Sequence, residues 1–153
     1  MDEISLPITG GCLCGAVRFQ VTAKPLAAYY CHCSMCRRNS GGGLFLASAT
    51  VPLEGFAFTN GKPAAYESSP GNLRLFCNAC GSPLGARVAE DPKLVEVHLG
   101  CLDDPNLIKP ELHIFTSSQV SWHEIEDDLP HHAEGAPELE KLWVEIEGWK
   151  LPE

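Results

Sequence analysis

The chain has 153 residues, of which 44% are hydrophobic, and its formal net charge at pH 7 is -9. This length suits one globular domain with a buried core, and no low-complexity stretch marks a linker to a second one. We therefore expect a single domain over residues 1–153. The excess of negative charge repels phosphate backbones and argues against general nucleic-acid binding.

The first residues, Met1 to Ser5, lack the basic region and apolar run of a secretory signal. The most apolar stretch, Leu44 to Leu53, is too short to cross a bilayer. We expect a cytoplasmic protein with no membrane partner. In that reducing compartment, clustered cysteines are more often metal ligands than structural disulfides.

Short strands dominate the predicted secondary structure. The alternation of apolar and polar residues over Ala16 to Val21 predicts a half-buried strand. Asn60-Gly61 is a strong signal for a hairpin turn between 56–59 and 64–67. Further strands are expected at 27–30, 43–51, 56–59, 64–67, 73–76, 83–88, 94–99 and 112–115.

Only the C-terminal segment has helical spacing. Leu139, Leu142, Trp143 and Ile146 share one face, and Pro137 suits the first turn of a helix. We expect a helix over about 137–147. The predicted fold class is mainly β with one short C-terminal helix.

Seven of the eight cysteines form three tight clusters. Spacings of one and two residues bring thiols to a single point, which suits a soft cation better than disulfides. Four cysteines close a tetrahedral zinc shell, whereas three leave one position free for water or substrate. Seven clustered thiolates therefore indicate one closed and one open site. The clusters are Cys12-x-Cys14, Cys31-x-Cys33-x-x-Cys36 and Cys77-x-x-Cys80.

Spacing alone leaves the pairing of the clusters open. Cys33 and Cys36 could join the third cluster in a ribbon-like four-cysteine site, which would leave three cysteines unused. Pairing the first cluster with the third keeps the central triplet as a unit and uses every clustered thiolate, so we prefer it. Iron fits a four-sulfur shell as well as zinc on geometry alone.

A few other residues are candidates for the open site. Arg37 and Arg38 follow the triplet and could hold the carboxylate of a substrate. His113 is the best histidine for a role near the triplet, whereas His32 is expected to point away from the metal. Cys101 lies in no cluster and is expected to be a small buried residue.

Three longer motifs surround the cysteine clusters: G-G-C-L-C-G-A-V-R-F (Gly10 to Phe19), Y-C-H-C-S-M-C-R-R-N-S-G (Tyr30 to Gly41) and F-C-N-A-C-G-S-P-L (Phe76 to Leu84). These motifs resemble those of the glutathione-dependent formaldehyde-activating enzyme and centromere protein V family. With the later P-E-L-H-I-F (Pro110 to Phe115), the resemblance covers about residues 8–132.

The resemblance implies a β-tent of antiparallel sheets joined by a structural zinc. It implies two zinc ions per chain, one structural and one catalytic. The structural zinc would take Cys12, Cys14, Cys77 and Cys80. The catalytic zinc would take Cys31, Cys33 and Cys36.

The implied activity is that of a zinc-dependent carbon–sulfur lyase acting on an aldehyde adduct of a small thiol such as glutathione. An alternative is a zinc-stabilised binding module in which His113 or Cys101 plugs the fourth position of the triplet. A weaker alternative is a redox protein with Cys101 as its reactive thiol.

Overall fold

The computed structural model describes residues 4–148. Within this range, ten short strands and two short helices account for most of the regular structure. The strands are β1 (Ile8–Gly11), β2 (Arg18–Val21), β3 (Ala27–Cys31), β4 (Leu46–Pro52), β5 (Phe56–Asn60), β6 (Ala64–Ser69), β7 (Asn72–Phe76), β8 (Pro83–Val88), β9 (Leu94–His98) and β10 (His113–Ile114). The helices are α1 (Ser34–Ser40) and α2 (Pro137–Lys141), and α2 continues into a π-helical turn over Leu142–Ile146.

The strands form a three-stranded sheet and a seven-stranded sheet. The smaller sheet has the order β1-β2-β5, and the larger one has the order β10-β3-β4-β9-β8-β7-β6. Neighbouring strands are antiparallel except β10 and β3, which are parallel. The predicted mainly β class is confirmed, with one sheet of mixed direction.

One face of the larger sheet packs in a common core with the smaller sheet. Ala28, Ala49 and Val97 are neighbours across β3, β4 and β9 and are almost fully buried. Phe19 and Val21 of β2 belong to the same buried cluster. The small side chains at the centre of the larger sheet and the ring of Phe19 therefore belong to one core.

The opposite face of the larger sheet carries a second, smaller core. Tyr29 of β3 and Ile114 of β10 are buried there with Leu139 of α2. The predicted C-terminal helix is confirmed, with Pro137 in its first turn. Ile146 is nevertheless exposed, because the π-helical turn changes the angular spacing that would have kept it on the face of Leu139.

The hairpin prediction at Asn60-Gly61 was wrong. β5 pairs with β2 in the smaller sheet, whereas β6 pairs with β7 in the larger one. The turn instead carries the chain from one sheet to the other. The Asn60 side chain donates a hydrogen bond to the carbonyl oxygen of Ala16 at 3.1 Å. Gly61 has a φ of +63° and lies so close to that carbonyl that a Cβ atom would overlap it.

Helix α1 was not predicted, because its seven residues carry no apolar periodicity. The thiol of Cys33 caps the helix by accepting a hydrogen bond from the backbone N–H of Cys36 at 3.3 Å. Gly41 ends the helix with a φ of +69°, and its N–H donates to the carbonyl oxygen of Arg37. A cysteine cap and a glycine stop therefore define this helix. β1 was also missed, since Ile8 is its one large apolar residue.

Membrane-spanning helices are not found among residues 4–148, where every helix is too short and too polar to cross a bilayer.

Gly85 provides a test of the sheet packing. It lies in β8 opposite Val97 of β9, and a Cβ atom there would overlap the carbonyl oxygen of Glu96. We expect Gly85→Ala to lower the free energy of unfolding by about 1–3 kcal/mol, the usual cost of overpacking. Urea denaturation measures the change.

The matched control is Gly42→Ala, because Gly42 has open space around it. We expect the control to stay within about 0.5 kcal/mol of the parent. Equal stability of the two variants would contradict the close approach of β8 and β9.

Candidate metal centres and the adjoining cavity

Four cysteines from distant parts of the chain converge at one point. Cys12 and Cys14 lie in the turn after β1, and Cys77 and Cys80 lie in the knuckle between β7 and β8. The four sulfur atoms are within 4.8 Å of one another. β7 and β8, which correspond to the strands expected at 73–76 and 83–88, pair with each other on either side of this second pair of cysteines. The third cluster thus meets the first and leaves the central triplet separate.

The sulfur spacing in this four-cysteine group fits a tetrahedral zinc shell. Zn–S bonds of about 2.3 Å in a regular tetrahedron place the sulfurs about 3.8 Å apart. The sulfurs of Cys12 and Cys14 are 3.6 Å apart, and those of Cys14 and Cys77 are 3.8 Å apart. The donor set therefore fits zinc in number, chemistry and spacing.

Local donors favour the thiolate form of two cysteines in this group, Cys12 and Cys80. The backbone N–H of Val17 donates to the sulfur of Cys12 at 3.2 Å and lowers the pKa of that thiol. The hydroxyl of Ser82 lies 3.2 Å from the sulfur of Cys80 and lowers the pKa of that thiol to about 5. Both cysteines are thereby prepared to bind a cation, since the thiolate is the ligand.

The central triplet forms a second group at the junction of β3 and α1. Cys31 ends β3, Cys33 caps α1, and Cys36 lies in the first turn of α1. Their three sulfurs are within 4.8 Å of one another. Cys31 and Cys36 are buried, whereas Cys33 is partly exposed. Three sulfurs fit a zinc shell with one position left over.

The thiols of the triplet differ in how readily they ionise. Hydrogen bonds from the thiols of Cys31 and Cys36 hold the pKa of Cys33 well below its usual range. The same contact with Cys33 raises the pKa of Cys31 far above its usual range. One thiolate forms readily, and its negative charge opposes the ionisation of a second thiol in the triplet. A cation is therefore needed before all three sulfurs can be ionised together.

Arg74 is a site residue that the sequence analysis missed. It lies in the middle of β7, is only 7% exposed, and directs its guanidinium to the sulfur of Cys36 at 3.6 Å. Its Nε also donates to the hydroxyl of Ser68 at 3.1 Å. A buried cation needs a compensating charge. The sequence signal that could have identified Arg74 is its position between Leu73 and Leu75 in a predicted strand.

A cavity of about 930 Å³ opens beside the triplet. Its walls include Trp143 and Phe115 as apolar surfaces, together with Arg87 and Glu96 as charged ones. The cavity lies against the sheet face that carries Tyr29 and is bordered by α2. Its volume is within the usual range for small-molecule sites. All three triplet cysteines, Cys31, Cys33 and Cys36, belong to its lining, as does Arg74.

A partly buried polar network lies on one wall of this cavity. The carboxylate of Glu96 accepts hydrogen bonds from the hydroxyls of Tyr29 and Thr50 and from the indole N–H of Trp143. Burial raises the pKa of Glu96 despite these donors. Burial, followed by the charge of Glu96, raises the pKa of Tyr29 well above its usual range. The wall therefore carries titratable groups close to the triplet.

Arg37 and Arg38 do not line the cavity. The guanidinium of Arg37 donates to the carbonyl oxygens of His32 at 2.8 Å and Ser118 at 2.7 Å, so its role in this structure is to tie α1 to a neighbouring loop. Arg38 is exposed outside the cavity. The arginines of the cavity are Arg74 and Arg87, which come from β7 and β8.

His113 also lies away from the triplet. Side chains alternate along a strand, so His113 and Ile114 point to opposite faces of β10. Ile114 lines the cavity beside the triplet, whereas His113 lines a different one. The ring of His32 lies with His113, their nitrogens 2.9 Å apart. His32 therefore points away from the sulfurs of its neighbours, as expected.

Cys101 belongs to neither sulfur group. Its thiol donates to the carbonyl oxygen of Pro83 at 2.9 Å, and burial raises its pKa to about 11. A thiol with a raised pKa is a poor nucleophile at neutral pH. Neither Cys101 nor His113 is placed to plug the fourth position of the triplet, so the binding-module alternative lacks the stopper that it needs.

Comparisons with known proteins agree with the sulfur pattern. The family model described as glutathione-dependent formaldehyde-activating enzyme matches residues 7–118. The chain belongs to this family. A Halomonas elongata protein named "Putative glutathione-dependent formaldehyde-activating enzyme" is 33% identical over 128 residues, which cover 78% of this chain and 81% of that protein.

A solved structure shares the fold of this family member. The crystal structure of a Rhodobacter sphaeroides protein matches with a TM-score of 0.53 and 25% identity. The match covers 67% of this chain and 91% of that one.

The contact of Arg74 with the triplet predicts a measurable shift in thiol ionisation. In Arg74→Met the side chain keeps a similar length but loses the charge that favours thiolates. We expect the pH midpoint for alkylation of Cys33 by iodoacetamide to rise by about one unit, which is tenfold in the ionisation constant. Peptide mass spectrometry of the metal-stripped protein follows the rate.

The control for this experiment is Arg87→Met, which removes a charge from the same cavity. No hydrogen bond between Arg87 and a cysteine sulfur is found within residues 4–148. We expect its alkylation profile to match that of the parent. Circular dichroism checks that each stripped protein is folded. An unshifted midpoint in Arg74→Met would show that the guanidinium does not stabilise the thiolates.

Proposed function

We propose that this chain is a zinc-dependent carbon–sulfur lyase-type enzyme that makes and breaks an adduct between a small thiol and an aldehyde. One observation carries the proposal: three cysteine sulfurs within 4.8 Å of one another lie on the wall of a cavity of about 930 Å³. The family name supports glutathione as the thiol and formaldehyde as the aldehyde.

We assign one zinc ion to each sulfur group. Cys12, Cys14, Cys77 and Cys80 would bind a structural zinc that joins the two sheets as in a β-tent. Cys31, Cys33 and Cys36 would bind the catalytic zinc. The chain would act as one zinc-binding domain over 1–153 in the reducing cytoplasm, where its eight free cysteines stay reduced.

Zinc bound by three thiolates would supply a position where a substrate thiol ionises near neutral pH. The chain supplies the electrostatic setting. The formal charges of three thiolates and one Zn²⁺ sum to -1. The buried guanidinium of Arg74 beside Cys36 adds +1 and brings the formal charge of this group to zero. Arg74 is therefore a charge-balancing residue beside the sulfurs, in a cavity whose lining also includes four glutamates.

The cavity walls suit a polar thiol larger than formaldehyde itself. Arg87 is half-buried in the wall and can pair with a substrate carboxylate, the role first expected of Arg37 or Arg38. Trp143 and Phe115 provide apolar contact for the carbon chain. These residues would position the thiol while its sulfur is directed to the triplet.

Proton transfer in the reaction has candidate groups on the same wall. In the forward direction the thiol sulfur bonds to the aldehyde carbon, and the thiol proton ends on the new hydroxyl. Tyr29 and Cys31 are two residues apart on β3 and both line the cavity, and Tyr29 is hydrogen-bonded to Glu96. We assign the Glu96–Tyr29 pair to the exchange of this proton with the substrate.

Metal analysis tests the two assignments separately. We expect two zinc ions per chain in the parent, and one in Cys33→Ala with most of the fold retained. Cys77→Ala is expected to lose the other zinc and to unfold at much lower temperature, because metal binding at such sites stabilises the fold directly. Inductively coupled plasma mass spectrometry and thermal melting measure both. A parent with a single zinc would refute the assignment.

The activity is tested by exchange between glutathione and formaldehyde. Two-dimensional exchange NMR at equilibrium reports the rate at which the carbon–sulfur bond forms and breaks. We expect the zinc-loaded parent to accelerate this exchange and Cys33→Ala to reduce the acceleration at least a hundredfold. Cys101→Ala removes a thiol outside both groups and should keep the parent rate. Equal rates in the parent and Cys33→Ala would exclude catalysis at the triplet.

A further inference from the structure

Two imidazoles and a carboxylate meet at a point that the proposed reaction does not use. The Nε2 atom of His113 lies 3.0 Å from Oδ2 of Asp127, and the Nε2 atom of His131 lies 3.7 Å from Oδ1 of the same carboxylate. One potential ligand atom from each residue lies within 4.8 Å of the other two. The side chain of His113 points to the face of β10 opposite Ile114 and thus away from the triplet cavity.

The backbone holds these three residues in place. The N–H of His113 donates to the carbonyl oxygen of Pro130 at 2.8 Å, and the N–H of His132 donates to that of His113 at 2.9 Å. The N–H of Leu129 donates to Oδ1 of Asp127 at 3.0 Å. The loop that carries Asp127 and His131 is therefore bound to β10 on both sides of His131.

A second histidine orients the ring of His113. The Nδ1 atom of His113 lies 2.9 Å from Nε2 of His32, and both rings are almost fully buried. A hydrogen bond at one ring nitrogen fixes which nitrogen is free to coordinate, and metal-binding histidines commonly have such a partner. This arrangement leaves Nε2 of His113 directed at Asp127 and the cluster.

Space for further ligands adjoins the cluster. A cavity of about 570 Å³ is lined by His113 and Asp127 together with Tyr30, Phe45 and Trp122. The side chains of Asp127 and His131 are about two-fifths and one-third exposed, so solvent reaches them. A cation held there would keep positions for water or a small anionic ligand.

We propose that His113, Asp127 and His131 bind a divalent first-row transition-metal ion. Two imidazole nitrogens and one carboxylate oxygen are a donor set for Zn²⁺, Co²⁺, Ni²⁺ or Fe²⁺. Ligands about 2.1 Å from a metal and about 90° apart are about 3.0 Å from each other. The distance from His113 to Oδ2 of Asp127 matches this value, and His131 lies 3.7 Å from the other oxygen of the same carboxylate.

Cobalt titration of protein loaded with two zinc equivalents tests the site. Zinc occupies the cysteine groups first, so added Co²⁺ reports on other ligands. We expect one Co²⁺ to bind per chain with zinc content unchanged, weak visible d–d bands and no strong near-ultraviolet thiolate band. Bound Co²⁺ should also raise the melting temperature, because a ligand that binds the folded state stabilises it.

The variants separate a metal site from a structural hydrogen-bond network. His131→Ala and Asp127→Asn should each weaken Co²⁺ binding at least tenfold and remove the thermal shift. His132→Ala, which removes the adjacent imidazole outside the cluster, should bind as the parent does. Binding unchanged in His131→Ala, no Co²⁺ bound at millimolar concentration, or zinc release with a strong thiolate band would each overturn the proposal.

Discussion

The close packing of cysteine sulfurs, which repel one another when ionised, is the constraint on which the proposed sites depend. Seven thiols gather in two groups, and within each group every sulfur is less than 4.8 Å from the others. In the triplet, ionisation of Cys33 raises the pKa of Cys31 far above its usual range. Such groups are stable as thiolates only around a cation. One group lies where the turn after β1 meets the β7–β8 knuckle, and the other lies where β3 meets α1.

The two groups differ in surroundings as well as in number. Backbone and hydroxyl donors from Val17 and Ser82 support the four-cysteine group, and four sulfurs satisfy a tetrahedral ion. The triplet has instead a buried guanidinium from Arg74 and a wide cavity. A complete shell surrounded by local hydrogen bonds suits structural support. An incomplete shell facing a cavity suits exchange of a ligand, and this contrast underlies the division of roles that we propose.

Cysteine spacing predicted most of the site because covalent neighbours must stay close in any fold. Residues that reach the site from other strands were harder to predict. Arg74 contacts Cys36 because of where β7 lies in the larger sheet, and the sequence does not show a contact between residues so far apart in the chain. His113 pairs in register with the strand that ends at Cys31, but strand alternation directs its ring to the opposite face, where it contacts His32. Arg37 follows the triplet in sequence, but its guanidinium donates hydrogen bonds to backbone carbonyl oxygens outside the cavity. The hairpin prediction at Asn60-Gly61 was wrong for a related reason, because a turn signal does not specify which sheet contains the next strand.

We propose that the triplet leaves one zinc coordination position for a substrate thiol. Zinc K-edge X-ray absorption on protein loaded with two zinc equivalents tests it directly. Four sulfurs on one ion and three on the other average about 3.5 per zinc, and a bound glutathione sulfur would raise the average to about 4. We expect this increase on addition of glutathione. An average that glutathione leaves unchanged would show that the proposed open position does not accept the thiol.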